Sequence, residues 1–207
     1  MTSSFQLLAP TPTLVGIRLT TRARAAVAVI GFALLTAALA QVRFGLGFTP
    51  VPLTGQTFAV LLAGGALGAR LGAASQLLYV VLGAIGLPFY SEAQGGWDAA
   101  TGSTAGYLVG FVVAAYVVGR LAERGHDRRI DTALPAFLFG SAIIYAFGAS
   151  WLAIELGIPF AAASGESSAL ALGVTPFLVG DAVKIIAAAI LLPAAHRMVE
   201  RNTRPES

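Results

Sequence analysis

Apolar residues in this chain fall into long runs, broken by short stretches that hold the arginines, most of the prolines and the polar side chains. The runs predict helices over about 24–41, 57–69, 71–88, 103–121, 133–156 and 176–197, most of them close to the ~20 residues that a membrane-spanning helix needs. A single helix through the second and third runs would overshoot a bilayer, so a tight turn is expected near Gly68–Gly72, around Arg70. Thr175 followed by Pro176 reads as a cap with proline in the first turn of the sixth helix. Residues 1–22 are mixed in character and are expected to be a cytoplasmic tail on one membrane domain spanning 1–207.

Composition supports that reading. The chain has 207 residues, 57% hydrophobic and 11% charged, whereas a soluble domain carries about a quarter charged residues to wet its surface. Its 24 glycines and 10 prolines suit membrane helices, which tolerate both and use glycine for close approach. The expected fold is therefore all-α, a bundle of six transmembrane helices. Cysteine is absent, which excludes disulfides, thiol catalysis and cysteine-held metals. No HExxH, paired acidic metal motif or dinucleotide glycine fingerprint occurs, so neither a metal nor a cofactor is expected.

The net charge of +3 raises nucleic acid as a partner until the basic residues are placed. Eleven of the 13 fall at the start of the first helix, between the second and third, between the fourth and fifth, or after the sixth. Arg43 lies on the opposite side, and Lys184 is inside a run. The positive-inside rule then puts both termini in the cytoplasm and makes the arginines topology signals, with membrane lipid and not nucleic acid as their surroundings. The first run, ending "ALAQ", also resembles a cleavable secretory signal. More than twenty residues precede it, and the charge bias holds only if it stays.

Asp181 and Lys184 carry the chemistry. They sit three apart in "TPFLVGDAVKIIAAAILLP", on one face of the last helix and roughly 8 and 12 Å below its start at Pro176. A charge at mid-membrane costs about 2.5–3.5 kcal/mol or more, so an ionisable residue there marks a polar pocket by default. An anionic acceptor beside a cationic donor suits a small ligand with N–H and C=O or carboxylate groups. The bland reading is an ion pair that only fastens helices, as in a scaffold. An intramembrane enzyme using Asp181 as acid or base is a third possibility. Serine–histidine hydrolysis is disfavoured, because His126 and His196 both lie at cytoplasmic helix ends, away from Ser141 and Ser150. Lys184 is the only lysine and has no Walker loop around it, so any ATP hydrolysis must come from another subunit.

The first outer loop, "FTPVPLTGQTF", offers Thr54, Gln56 and Thr57 as hydrogen-bonding groups on a proline-stiffened segment. The second, around "LPFYSEAQGGWD", concentrates Tyr90, Gln94 and Trp97, as pocket walls or interfacial anchors. Small residues four apart, such as Ala33 and Ala37, allow close helix packing.

"VPLTGQTFAVLLAGGALGARLGAASQLLYVVLGAIGLPFY", "GSTAGYLVGF" and "GDAVKIIAAAILLP" resemble, in order and spacing over about 24–198, the BioY family of biotin-specific substrate-binding subunits of energy-coupling factor transporters. The resemblance implies high-affinity capture of external biotin by a six-helix protein of a bacterial-type plasma membrane, working with a transmembrane coupling subunit and ATPase subunits. It implies ligand contacts for Asp181 and Lys184 and for a polar residue within Tyr90, Ser91 to Gln94; Gln56 of the first loop joins them as a candidate through its own hydrogen-bonding groups. The ligand is expected between the fourth, fifth and sixth helices, under the first two outer loops. Ala33 and Ala37 match by spacing the pattern that marks the coupling face. Gly55 departs from the family, which has a hydrophobic residue there. Another vitamin in the same architecture is the nearest alternative.

Overall fold

The computed structural model describes residues 22–162 and 167–201. The expected N-terminal tail, up to residue 21, lies outside the described residues. Six long or middle-length apolar helices form the body: α1 (Arg22–Ala40), α2 (Gln56–Leu67), α3 (Ala69–Ala84), α5 (Ala105–Ala122), α6 (Ile130–Leu156) and α8 (Leu178–Arg201). The one-turn helices α4 (Trp97–Thr101) and α7 (Ala169–Gly173) decorate two connections. A two-residue hairpin, β1 (Arg43–Phe44) with β2 (Leu53–Thr54), folds the first one. By length and composition, four helices among the described residues are able to cross a membrane, and α2 and α3 are shorter apolar helices.

The break between α2 and α3 is a single residue. Gly68 has φ 81°, a left-handed conformation that glycine adopts without strain, and it reverses the chain there. The neighbouring Gly119 of α5 lets this turn press onto α5, since a Cβ on Gly119 would collide with Ala69 N and Gly68 C. Glu123, just beyond α5, then accepts a hydrogen bond from Ala69 N–H at 2.9 Å, satisfying one of the amides that a helix start leaves open.

α5 and α6 meet through Gly106 and Gly110, whose missing side chains bring the α6 backbone at Phe147 and Ile144 into contact. Thr36 of α1 and Gln76 of α3, both fully buried, bond each other between their helices. The α2–α3 turn, the α5–α6 connection and the last turns of α8 gather at one end. There a buried pair, Asp127 and His196 at 2.5 Å, ties the α5–α6 connection to α8. The other three connections gather at the opposite end: Thr49 donates to Leu172 O, and Arg43 pairs with Glu92 at 2.6 Å.

One local expectation changes. Thr175 does not cap the last helix: it opens a 3-10 turn, Thr175–Phe177, and its hydroxyl donates to Leu170 O instead. Pro176 does sit in the first turn, where its missing N–H costs nothing. In α1, Ala33 and Ala37 are 0% and 8% exposed, while Val27, Ile30 and Leu34 of the same helix face outward. The small alanine side chains pack inside the chain, a role that the four-residue spacing also allows.

Candidate functional site

The segment that starts α2 brings Gln56 and Thr57 to the middle of the bundle, beside the part of α8 that carries Asp181 and Lys184. Gly55 makes that approach possible: its N–H reaches Leu39 O and Val42 O, and a Cβ there would press on Leu39 of α1 at 3.0–3.3 Å. A larger residue at this position would have to push the loop away from α1.

Asp181 is 4% exposed and lies at the centre of a four-residue network. Lys184 Nζ donates to Asp181 Oδ1 at 2.6 Å and to Thr57 Oγ1 at 3.1 Å. Thr57 in turn donates to Asp181 Oδ1 at 3.2 Å, and Tyr145 OH of α6 donates to Oδ2 at 2.6 Å. The cluster therefore fastens α2, α6 and α8 together, as the bland reading of the ion pair required. It also does more, because all four residues line a cavity whose other walls are largely aromatic and aliphatic, and a concave, mostly apolar space with a few convergent polar groups is what a small-molecule site needs.

Counting bonds shows what the cluster has left over. A carboxylate has about four acceptor positions and an ammonium three donors. Three hydrogen bonds reach Asp181 and two leave Lys184. Among the described residues, one acceptor position on Asp181 Oδ2 and one N–H of Lys184 remain, and both residues line the cavity. That remainder complements a ligand that offers a donor and an acceptor from adjacent atoms.

Aromatic rings form the rest of the chamber. Tyr79 of α3 donates to Gln56 Oε1 at 3.2 Å and meets the Tyr90 ring edge-on, with centroids 5.7 Å apart. Tyr107, Phe111 and Phe177 close the other sides. Burial pushes the Tyr90 phenol up to about 12, so it stays neutral and keeps donating to Val80 O at 2.6 Å. The Tyr90–Gln94 segment is held tightly although Glu92 and Ala93 sit at φ 66° and 54°. Gln41 at the end of α1 donates to Tyr90 O and accepts from Ala93 N–H, each at 3.0 Å, and these bonds offset a backbone strain of order 1–3 kcal/mol per residue.

Of the residues singled out from sequence, Asp181, Lys184, Gln56, Tyr90 and Ser91 line this chamber. Gln94 does not: it lines an adjoining outer chamber that shares Pro52, Tyr90, Ser91 and Thr104 with the first. Trp97 is 71% exposed and walls neither chamber. The expected enclosure by the fourth to sixth apolar helices is incomplete, since α2 and α3 supply Gln56, Thr57 and Tyr79. Tyr145 escaped sequence reasoning altogether. Its signal was a phenol in the middle of an apolar run, where a hydroxyl needs a partner. Tyr145→Phe is expected to remove one charge-assisted hydrogen bond and to weaken ligand binding by about 1–2 kcal/mol while the helices stay assembled. Calorimetric titration beside a thermal melt checks this.

Comparison with known proteins places these features. The family model described as "BioY family" matches residues 11–201. The chain is 40% identical over 153 residues to the biotin transporter BioY of Rhizobium etli, covering 70% of this chain and 78% of that one. It is 39% identical over 160 residues to the probable biotin transporter BioY of Pyrococcus horikoshii, covering 77% and 88%. The crystal structure of the S-component for biotin from an ECF-type ABC transporter superposes with a TM-score of 0.75 at 23% identity, over 86% of this chain and 95% of that chain. At that identity the likeness speaks for the fold.

Proposed function

This chain belongs to the BioY family, and from that premise we propose that it is the biotin-capturing subunit of an energy-coupling factor transporter. The observation that carries the reading is that Lys184 and Asp181, with one donor and one acceptor unused, line an aromatic-walled cavity. The cyclic urea of biotin places N–H and C=O on adjacent atoms, and its sulfur ring and hydrocarbon tail suit aromatic walls. Asp181 accepts the urea N–H, Lys184 donates to its oxygen, and Gln56, Tyr90 and Ser91 close the chamber around it. Gln94 stands further out, along the path of the tail. The reaction is capture without chemistry. The chain is a transporter component and not an enzyme, so Asp181 is an acceptor of hydrogen bonds here, not an acid or base.

The membrane arrangement we infer has six helices spanning one domain, with α2 and α3 completing the count despite their length. Both termini lie on the arginine-rich side, which is cytoplasmic by the positive-inside rule, in a bacterial-type plasma membrane. The site then opens outward. With no Walker loop in the sequence, inward delivery falls to a coupling subunit and ATPase subunits that move the bundle. If such a subunit meets α1, Ile30 and Leu34 offer the contact, since Ala33 and Ala37 beside them are covered. No nucleic acid, metal or resident cofactor enters this scheme.

The full chain, purified in detergent and denatured, is expected to release biotin at about one molecule per chain, read by mass spectrometry. Release of a different vitamin would redirect the assignment within the same architecture. An empty protein that also fails to take up added biotin would overturn it.

A further inference from the structure

Beyond the inner chamber lies a second one, open to solvent, on the path assigned above to the tail of biotin. The two chambers share Pro52, Tyr90, Ser91 and Thr104, so they meet at a junction formed by these four residues. At the junction, Ser91 Oγ is buried and has no hydrogen-bond partner. A buried hydroxyl left unpaired costs free energy, and a turn of the Ser91 side chain to another staggered rotamer would present it to a ligand group at the junction.

The outer chamber differs from the inner one in charge. Its ionisable lining residues are Glu92 and Asp98, with Gln94, Ser103 and Thr104 between them and no basic side chain among its lining. Glu92 is already matched by Arg43 at 2.6 Å. Asp98 is exposed, and no hydrogen bond or ion pair engages it among the described residues. A ligand seated by its ring on Asp181 and Lys184 sends its tail through the junction into this space. If the tail ends as a free carboxylate, it meets a chamber whose unmatched charge has the same sign. If the carboxylate is blocked as an amide and extended to an ammonium, the charge is complementary.

Resting on the capture of biotin proposed above, we propose that this chain also takes up amide conjugates of biotin bearing a cationic extension. Their amide bonds to Ser91 Oγ at the junction, and their ammonium lies by Asp98 in the outer chamber. The substrate class is therefore wider than the free vitamin and includes the biotinylated amines released when biotin-carrying proteins are broken down.

The test uses the full chain in detergent, with labelled biotin displaced by unlabelled biotin or by N-(2-aminoethyl)biotinamide, which is cationic. The conjugate is expected to compete within about tenfold of biotin, with an advantage that shrinks as salt rises over a Debye length of about 10 to 3 Å. Asp98→Asn is expected to lower the conjugate-to-biotin preference about two- to tenfold, the range for exposed charge pairs acting on both ligands. Ser91→Ala is expected to weaken the conjugate with the fold intact. Biotin binding with no displacement by a hundredfold excess of conjugate overturns this proposal and leaves the capture reading standing. An unchanged preference in Asp98→Asn overturns the role given to the outer chamber. Failure of biotin itself to bind overturns both.

Discussion

Asp181→Asn is expected to weaken biotin binding by about 1.5–3 kcal/mol, roughly ten- to 150-fold in Kd. The substitution keeps the shape of the side chain but removes the charge that Lys184, Thr57 and Tyr145 all address. Its amide also presents N–H groups where three donors already point. Lys184, whose side chain is 18% exposed, is left without its counter-charge, so the fold weakens as well. Pairing Asp181→Asn with Lys184→Met separates the two losses. The double variant is expected to regain part of the melting temperature, because no half-buried charge is stranded, yet to recover none of the affinity. Titration calorimetry and a thermal melt on the same samples read both. An Asp181→Asn protein that binds biotin like the parent would remove Asp181 from the site.

The largest stability effect is expected far from the ligand, at Gly119→Ala. A single added Cβ runs into the backbone of Gly68 and Ala69, and backbone in a turn of one residue has nowhere to move. Overpacking of this kind costs about 1–3 kcal/mol, which lowers Tm by roughly 2–12 °C for a chain of this size. Gly31→Ala is the matched control, since nothing lies within 4 Å of a Cβ there. Equal melting temperatures for the two variants would mean that α2, α3 and α5 are not wedged together as described.

What sequence can disclose follows from the solvent that the chain expects. Lipid forces apolar residues into runs and makes buried charge rare, so the helices and the pair Asp181 and Lys184 are legible in the residues alone. Which way each helix turns is not legible, because its inner and outer faces are equally apolar and carry no amphipathic stripe. Ala33 and Ala37 show the result: the spacing is right for a packed face, but does not say which packing it serves. Tyr145 and Thr57 find Asp181 across 36 and 124 positions of chain, which no local pattern records. Gln94 falls one chamber out, since the Tyr90–Gln94 segment turns through left-handed residues that periodicity does not foresee.

The brevity of α2 has a meaning of its own. At 12 residues it is about 18 Å long, well short of the ~30 Å hydrocarbon thickness. All of it but Thr57 and Phe58 is buried, so protein and not lipid surrounds it, and no bilayer has to thin to meet it. A full-length helix in that central post would carry roughly eight more residues at its Gln56 end. Two turns of helix are thereby forgone at the Gln56 end of the post, and the room they would have filled is where we place the ligand.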